Sequence, residues 1–467
     1  MRRIAIVGGG ISGLSAAYHL ARHGVASTLI ERRPRLGGVI QTDYVDGCVI
    51  EAGPDSFLSA KPWALELIRD LGLAGDVIGS NDHLRETYVR KNGRLTPLPD
   101  GLMLMVPTRI LPMVSTPLLS WPAKIRMGLE CLRRPTAPLE EDRSVADFIR
   151  DHYGQEAVDY LAEPLLAGVY GGDPELLSVG SVLPLFVELE RKHGSLSRGV
   201  LRARRQRAPQ AQAAPLFQTL KQGLGSLIGR LAEAAGPHVT VLQDEVGALR
   251  RERGVFELRL EGGILQADDV ILACQADEAG RLVQELDSEL AASLSSVPYN
   301  SSVTVSLGYR RDAFDGRMYG FGFLIPRRER KRLVACTYVG TKFPYRTPEN
   351  TVLLRCFLGG AEETALRDPD EILVAEVRAE LAELIGVTVA PVFSRVSRWP
   401  RSMAQYTVGH KRRIEIIEAR RSTVPGLELA GNAYTGIGVP DCVRMGKQAA
   451  QNILARRERS PSTEAPR

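Results

Sequence analysis

Gly8, Gly10 and Gly13 stand in IAIVGGGISGLSAAYHL with the spacing G-x-G-x-x-G. Between a strand and a helix, that spacing serves phosphate chemistry. The first glycine makes a tight turn, the second lets backbone approach a pyrophosphate, and the third lets the helix pack closely on the sheet. The flanks meet the condition: Arg3–Val7 reads as a short buried strand, Ser12–His23 as a helix and Ser27–Glu31 as a second strand. Helix-start N–H groups around Gly9, Ile11 and Ser12, aided by the helix dipole, would then face an anion. Glu31 ends the second strand with Arg32 beside it, where a carboxylate can accept hydrogen bonds from a ribose diol. A dinucleotide site is expected here.

Three further segments extend this site. Arg35-Leu36-Gly37-Gly38, followed by Val39, offers two glycines past which backbone can lie close to phosphate and to a ring edge. Gly53-Pro54-Asp55-Ser56 is on its own a simple proline turn, and in this company a second backbone approach. Near the C-terminus, LELAGNAYTGIGVPDCVRMGKQAA places Gly431, Ile437, Gly438 and Val439 ahead of Pro440 in the first turn of a helix. A helix N-terminus stabilises nearby negative charge by roughly 0.3–1 kcal/mol. The continuation from Glu31 into the glycine pair resembles flavoproteins of the amine-oxidase and glutathione-reductase-like superfamily, which implies FAD rather than NAD.

Ahead of these motifs and behind them lie the elements that must position them. Ala267–Ala273 and Leu427–Gly431 read as further strands of the first sheet, so other domains are inserted between its pieces. Glu245–Leu260 suits antiparallel strands turning at Gly254. Asp142–Tyr170 and Val182–Gly199 read as helical, and Asp370–Ile385 as an amphipathic helix. Val303–Tyr309, Gly320–Pro326, Leu333–Tyr338 and Thr351–Phe357 read as strands of a second sheet. Residues 191–207 are crowded with Arg and Lys and precede the loop-like PQAQAAP. This tract is either a solvated basic face or a surface attracted to anionic lipid or substrate carboxylates.

Composition bounds the rest. The 467 residues are 44% hydrophobic and 25% charged with a formal net charge of +5, an ordinary globular balance that demands no nucleic-acid role. Six cysteines without a C-x-x-C pair suggest neither a metal site nor a disulfide framework, and reduced cytoplasmic thiols are expected. Glycines interrupt the apolar N-terminal stretch, so no leader peptide is expected. No apolar run is long enough to span a bilayer. Leu102–Trp121 comes nearest, but Pro107, Pro112, Pro117 and Arg109 break it; it suits either a buried helical core or one face set in a membrane interface.

Taken together and in order from Arg3 to about Leu454, IAIVGGGISGL, RLGG, EAGPDSF, YVRKNGRLTPLP, AEPLLAGVYGGDPELLSV, GFGFLIP, RWPRSMAQYTVGH and GNAYTGIGVPDCVR resemble the oxygen-dependent porphyrinogen oxidases of haem synthesis. The resemblance implies a mixed α/β and α+β fold. Its Rossmann-like FAD-binding domain, of the p-hydroxybenzoate-hydroxylase type, would comprise residues 1–84, 216–276 and 398–457. A mainly helical membrane-associating domain would span 85–215 and a substrate-binding sheet domain 277–397, with a disordered tail at 458–467. It implies a six-electron oxidation of protoporphyrinogen IX or coproporphyrinogen III in three FAD cycles, with O2 reduced to H2O2. No general base is implied: the flavin performs the chemistry. Arg85 matches a basic residue facing a substrate propionate, with Lys91 a second candidate. Gly168 matches a backbone carbonyl facing the macrocycle, and Phe321, Leu324 and Phe357 match apolar residues that sandwich it. Trp399 and Val246 match flavin-domain contacts, Val246 near the adenine. Peripheral membrane contact, a cytoplasmic location and a homodimer also belong to the resemblance. A flavin amine oxidase, a carotenoid desaturase or a non-enzymatic FAD-binding membrane adaptor would share the dinucleotide motifs.

Overall fold

Ile4–Val7 is buried at all four positions, as a central strand covered on both faces must be. In the computed structural model, which describes residues 3–135, 141–206, 214–314, 319–360 and 364–459, it lies at the centre of a five-stranded parallel sheet. From one edge the order is Val239–Gln243, Ser27–Glu31, Ile4–Val7, Asp269–Leu272 and Leu427–Leu429. The two late strands occur where the sequence indicated, so one sheet is assembled from distant pieces of chain. Val239–Gln243 carries no clear sequence signal because it is an edge strand, largely open to solvent.

The second sheet has seven strands: Phe393–Ala404, Tyr299–Arg310, Thr351–Gly360, Leu333–Tyr338, Gly322–Leu324, Thr87–Lys91 and Arg94–Pro97, in that order. One face packs on the helix Asp370–Ile385, with Val305, Leu354 and Cys356 against Leu373, Val377 and Leu381. The other face looks toward the dinucleotide motifs.

This sheet corrects two expected boundaries. Thr87–Pro97 was expected in the helical region from residue 85, but it is a hairpin on the sheet's edge, turned at Asn92-Gly93 with positive φ at both residues. Its first strand runs parallel to Gly322–Leu324, a long-range pairing that local periodicity does not reveal. Phe393–Ala404 likewise carries Trp399 into the second sheet, although residues from 398 onward were expected with the FAD-binding pieces.

The expected helical region contains Val145–Tyr153, Glu163–Tyr170, Pro184–His193 and Leu196–Gln206. Within Leu102–Trp121 the chain forms a small hairpin and the helix Ile110–Ser115. The next helix, Trp121–Leu129, is capped by the Ser120 hydroxyl. Ile110 and Leu111 are 82% and 78% exposed, and Trp121, Ile125 and Leu129 recur every four residues on one exposed helix face. No helix among the described residues is long and apolar enough to cross a membrane. The C-terminal helix, Val439–Arg459, runs two residues into the expected tail. The remainder of that tail, 460–467, and most of the PQAQAAP tract lie outside the described residues.

Candidate functional site

The glycine turn divides its work by geometry. Gly8 takes φ +108°, and a Cβ on Gly13 would stand 2.0 Å from the Gly8 carbonyl oxygen, so these two glycines serve the turn and the helix–strand contact. A Cβ on Gly10 would meet nothing within 4 Å. Its bareness leaves room for a ligand, not for the protein. The first helix, Ile11–Ala21, makes its first loop-to-helix bond from Leu14 N–H to Gly10 C=O at 2.9 Å, leaving the amides of Ile11, Ser12 and Gly13 unpaired within the helix. Gly37 N–H donates to Gly9 C=O at 2.8 Å, and Gly38 lies over Gly10. Arg35, not singled out from sequence, donates to the Gly38 carbonyl at 2.6 Å and fixes this pair.

Glu31 accepts from Gly9 N–H at 2.7 Å and Arg33 N–H at 2.9 Å, so it also sets the turn while keeping lone pairs for another donor. Val246 is buried just past the strand whose Gln243 pairs in register with Glu31. Arg32 turns its guanidinium outward to Glu278, 4.0 Å away.

Gly53 is pressed against the Val39 carbonyl: an added Cβ would stand 1.8 Å from its oxygen. The preceding carbonyl, of Ala52, accepts three donors from the second sheet: Trp399 Nε1 at 2.7 Å, Thr304 Oγ1 at 3.1 Å and Arg355 Nη2 at 3.4 Å. Pro54 leads to Asp55, which takes the Ser56 hydroxyl at 2.6 Å and Lys342 Nζ at 2.8 Å. Burial pushes the Asp55 carboxyl up, but Lys342 and Arg355 outweigh it and hold the group well below the usual range. Asp55 is thus an ionised anchor between domains, with its carboxylate turned to Lys342.

At the far end of the chain, Gly431–Val439 forms a loop clamped from outside. Tyr406 OH donates to Asn432 C=O at 2.9 Å and accepts from Gly436 N–H at 2.8 Å. Its ring stacks at 4.0 Å on His410, whose Nε2–H donates to Tyr434 C=O. Burial lowers the His410 pKa to about 4, so this imidazole is neutral and structural. Gly438 N–H donates to Asp441, which pairs with Lys61 at 2.6 Å. Ile437 is partly buried, and Val439 begins the C-terminal helix. Ser15 Oγ donates to Val443 C=O at 2.9 Å, so the N-terminal turns of the first and last helices lie side by side. Two helix N-termini and an open glycine cradle fit a diphosphate-bearing cofactor with an electron-accepting ring.

Register along the second sheet places Leu324, Ala335, Phe357, Thr304 and Ser397 in one transverse row facing the Ala52 loop. A Cβ on Gly168 would lie 3.7 Å from Leu324 Cδ2, so the helix Glu163–Tyr170 closes over this row. Leu324, Phe357 and Gly168 therefore share one wall. Phe321 is buried just ahead of its strand, bonded by its amide to Glu86 C=O, and belongs to neither large core. Arg85 is exposed at the start of the edge hairpin, and its guanidinium has no partner among the described residues. Lys91, the second basic candidate, is occupied by Leu118 C=O at 2.7 Å and by the Tyr160 ring. No group that could hold a metal ion occurs among the described residues.

Thr304, Lys342, Arg355, Tyr406 and His410 were not singled out from sequence. Arg355 did leave a signal, a lone charge within the apolar strand TVLLRCFLGG, which must find a buried partner.

The family described as flavin containing amine oxidoreductase matches residues 11–454 of this chain. Coproporphyrinogen III oxidase of Bacillus subtilis (strain 168) is 35% identical over 97% of this chain and 98% of its own length. Protoporphyrinogen oxidase 1, chloroplastic, of Arabidopsis thaliana is 31% identical over 96% of this chain and 87% of its own. The crystal structure of an Exiguobacterium sp. 255-15 protein, provisionally assigned as a protoporphyrinogen oxidase, superposes with a TM-score of 0.88 at 31% identity. That superposition covers 98% of this chain and 99% of that one.

Proposed function

The chain belongs to the flavin containing amine oxidoreductase family, and from that premise we propose that it is an FAD-dependent oxidase converting a porphyrinogen to a porphyrin in haem synthesis. The observation that carries this reading is the apolar wall of Leu324, Phe357 and Gly168 set opposite a dinucleotide cradle. Coproporphyrinogen III is the favoured substrate, because the relative of that name is 35% identical and the chloroplast protoporphyrinogen oxidase 31%.

When bound, FAD supplies two-electron oxidising chemistry; three rounds remove the six electrons separating a porphyrinogen from a porphyrin, with O2 reduced to H2O2. The chain's own residues bind and orient. Gly10, Gly37, Gly38 and the N-terminus of the first helix would hold the diphosphate, with Gly13 letting that helix pack close, and Glu31 and Val246 would take the adenosine end. Val39, Gly53 and the loop Gly431–Val439 would border the ring. Leu324 and Phe357 would line one face of the macrocycle, with Ala335 between them leaving it room, and Gly168 would present backbone to its edge. Fluorescence of the FAD-loaded protein given coproporphyrinogen III and protoporphyrinogen IX separately in air tests this. Porphyrin formation with H2O2 release is expected, faster from coproporphyrinogen III, and failure with both substrates sinks the reading.

Arg85 is an exposed, unpartnered cation just ahead of the strand that pairs with Gly322–Leu324, and we assign it to a substrate propionate. Arg85→Ala should raise KM for coproporphyrinogen III about tenfold, the loss of one charge-assisted hydrogen bond, with kcat nearly unchanged. An unchanged KM would remove it from the site.

Peripheral membrane contact is supported by the exposed stripe of Trp121, Ile125 and Leu129 beside Ile110 and Leu111. The basic helix Leu196–Gln206 lies near it, with Arg204 reaching Thr108 at 3.1 Å. Trp121→Ser with Ile125→Ser should weaken co-sedimentation with phosphatidylglycerol vesicles at least about tenfold. Equal binding by the double variant would overturn this, and a dimer dissociated by the same substitutions would assign the stripe to a second copy.

A further inference from the structure

Phe357 is flanked in register by Ala335 on one side and Thr304 on the other, both small, so its half-buried ring is not wedged by its sheet neighbours. What stacks on it is the guanidinium of Arg355, two residues earlier on the same face, with Cζ 4.7 Å from the ring centroid. No other aromatic ring packs against Phe357 among the described residues. Arg355 is itself flanked by Thr337 and Ser306, and is only 5% exposed. Its position is set from across the interface. Nη2 donates to the carbonyl oxygens of Gly53 and Ala52, and Nη1 lies 3.9 Å from Asp55. Those carbonyls are fixed independently, Ala52 by Trp399 and Thr304 and Gly53 by its contact with Val39.

We propose that Arg355 is a positioning residue that transmits the placement of the Ala52–Asp55 loop to the Phe357 ring, so that the wall meeting the macrocycle is held in register with the cofactor loop. A planar guanidinium can do both tasks at once: its edge donates to the carbonyls and its face carries the ring. Lysine at this position keeps the charge near Asp55 but has no plane to support an aromatic face. The proposal rests on the porphyrinogen reading of the site.

The test is a double-mutant cycle in the FAD-loaded, full-length protein, using Arg355→Lys, Arg355→Gln, Phe357→Ala and the combination of each with Phe357→Ala. Three quantities are read: KM and kcat for coproporphyrinogen III, the Kd of coproporphyrin III by fluorescence quenching, and FAD content. Each Arg355 variant should raise KM and porphyrin Kd about tenfold, with kcat and FAD content within about twofold of wild type. In the Phe357→Ala background it should add nothing further, since coupled residues do not act additively. Multiplicative effects, or FAD loss matching the loss of porphyrin affinity, overturn the proposal. The glutamine variant carries the test if lysine at this buried site prevents folding. A wild-type protein that holds FAD but neither binds porphyrin nor oxidises porphyrinogen defeats the functional reading itself, an outcome distinct from additivity among active variants.

Discussion

A Gly10→Val variant is expected to purify without flavin colour, yet to melt at the temperature of the wild-type apoprotein. Gly10 has φ −70° and ψ 178°, an extended conformation open to any residue, so valine brings no backbone strain. A Cβ there meets no protein atom within 4 Å. What it fills is the space left for the diphosphate, and FAD affinity should fall at least about 100-fold, or about 2.7 kcal/mol. Gly13→Val makes the contrast: its Cβ would collide with the Gly8 carbonyl oxygen at 2.0 Å, so the helix must shift and the apoprotein itself should lose about 1–3 kcal/mol or more. Calorimetric titration of FAD into each apoprotein, beside a thermal scan, separates the two. A yellow Gly10→Val protein with wild-type affinity would remove the diphosphate from this turn.

Arg346→Met should be strongly damaging to the fold itself. Arg346 is 1% exposed and reaches from the second sheet's connection into the dinucleotide unit, where Nη2 meets Thr219 Oγ1 at 2.7 Å and Glu51 at 3.2 Å. Glu51 also accepts from Thr42 Oγ1 and Leu224 N–H, both at 2.7 Å. Removing the cation leaves a buried carboxylate without its counter-charge, a loss of about 3–5 kcal/mol. Burial already raises the Glu51 pKa, with Arg346 opposing that rise, so the variant's pKa climbs further. A carboxyl whose folded pKa lies above its unfolded one binds more protons when folded. Its variant is therefore least stable at alkaline pH and recovers as pH falls through the raised pKa. Denaturant unfolding at pH 8 and pH 5.5 should show the larger deficit at pH 8, and Arg346→Met with Glu51→Gln should recover much of it. An equal deficit at both pH values would mean that Glu51 does not carry the effect.

The division of labour among Gly8, Gly10 and Gly13 was legible in the sequence because it is local: one strand, one turn and one helix set all three environments. The strands from residue 299 to 360 were legible for a similar reason, since each alternates or is continuously apolar. The hairpin Thr87–Pro97 was not, because only its parallel partner Gly322–Leu324 makes it part of that sheet. The GPDS segment was noticed for its proline and glycine, while the convergence of Trp399, Thr304 and Arg355 on the carbonyl just before it is a tertiary fact without a sequence period. Asp55 shows the same limit. The sequence indicates a backbone approach to the cofactor there, while the pairing of its carboxylate with Lys342 comes from across the interface and has no sequence signal. Arg346 and Arg355 are polar residues whose burial only the assembled interface explains.

The order of strands in the first sheet has a bearing on how the protein is made. Ile4–Val7 emerges from the ribosome first, but its neighbour Asp269–Leu272 and the edge strand Leu427–Leu429 come far later, and Ser15 waits for Val443. At 5–20 residues per second that interval is roughly 20–90 s. Until its end the nascent glycine turn lacks a complete sheet and the second helix terminus. Cofactor capture is therefore the closing event of biogenesis, and chains that terminate before Leu427 should reach quality control empty.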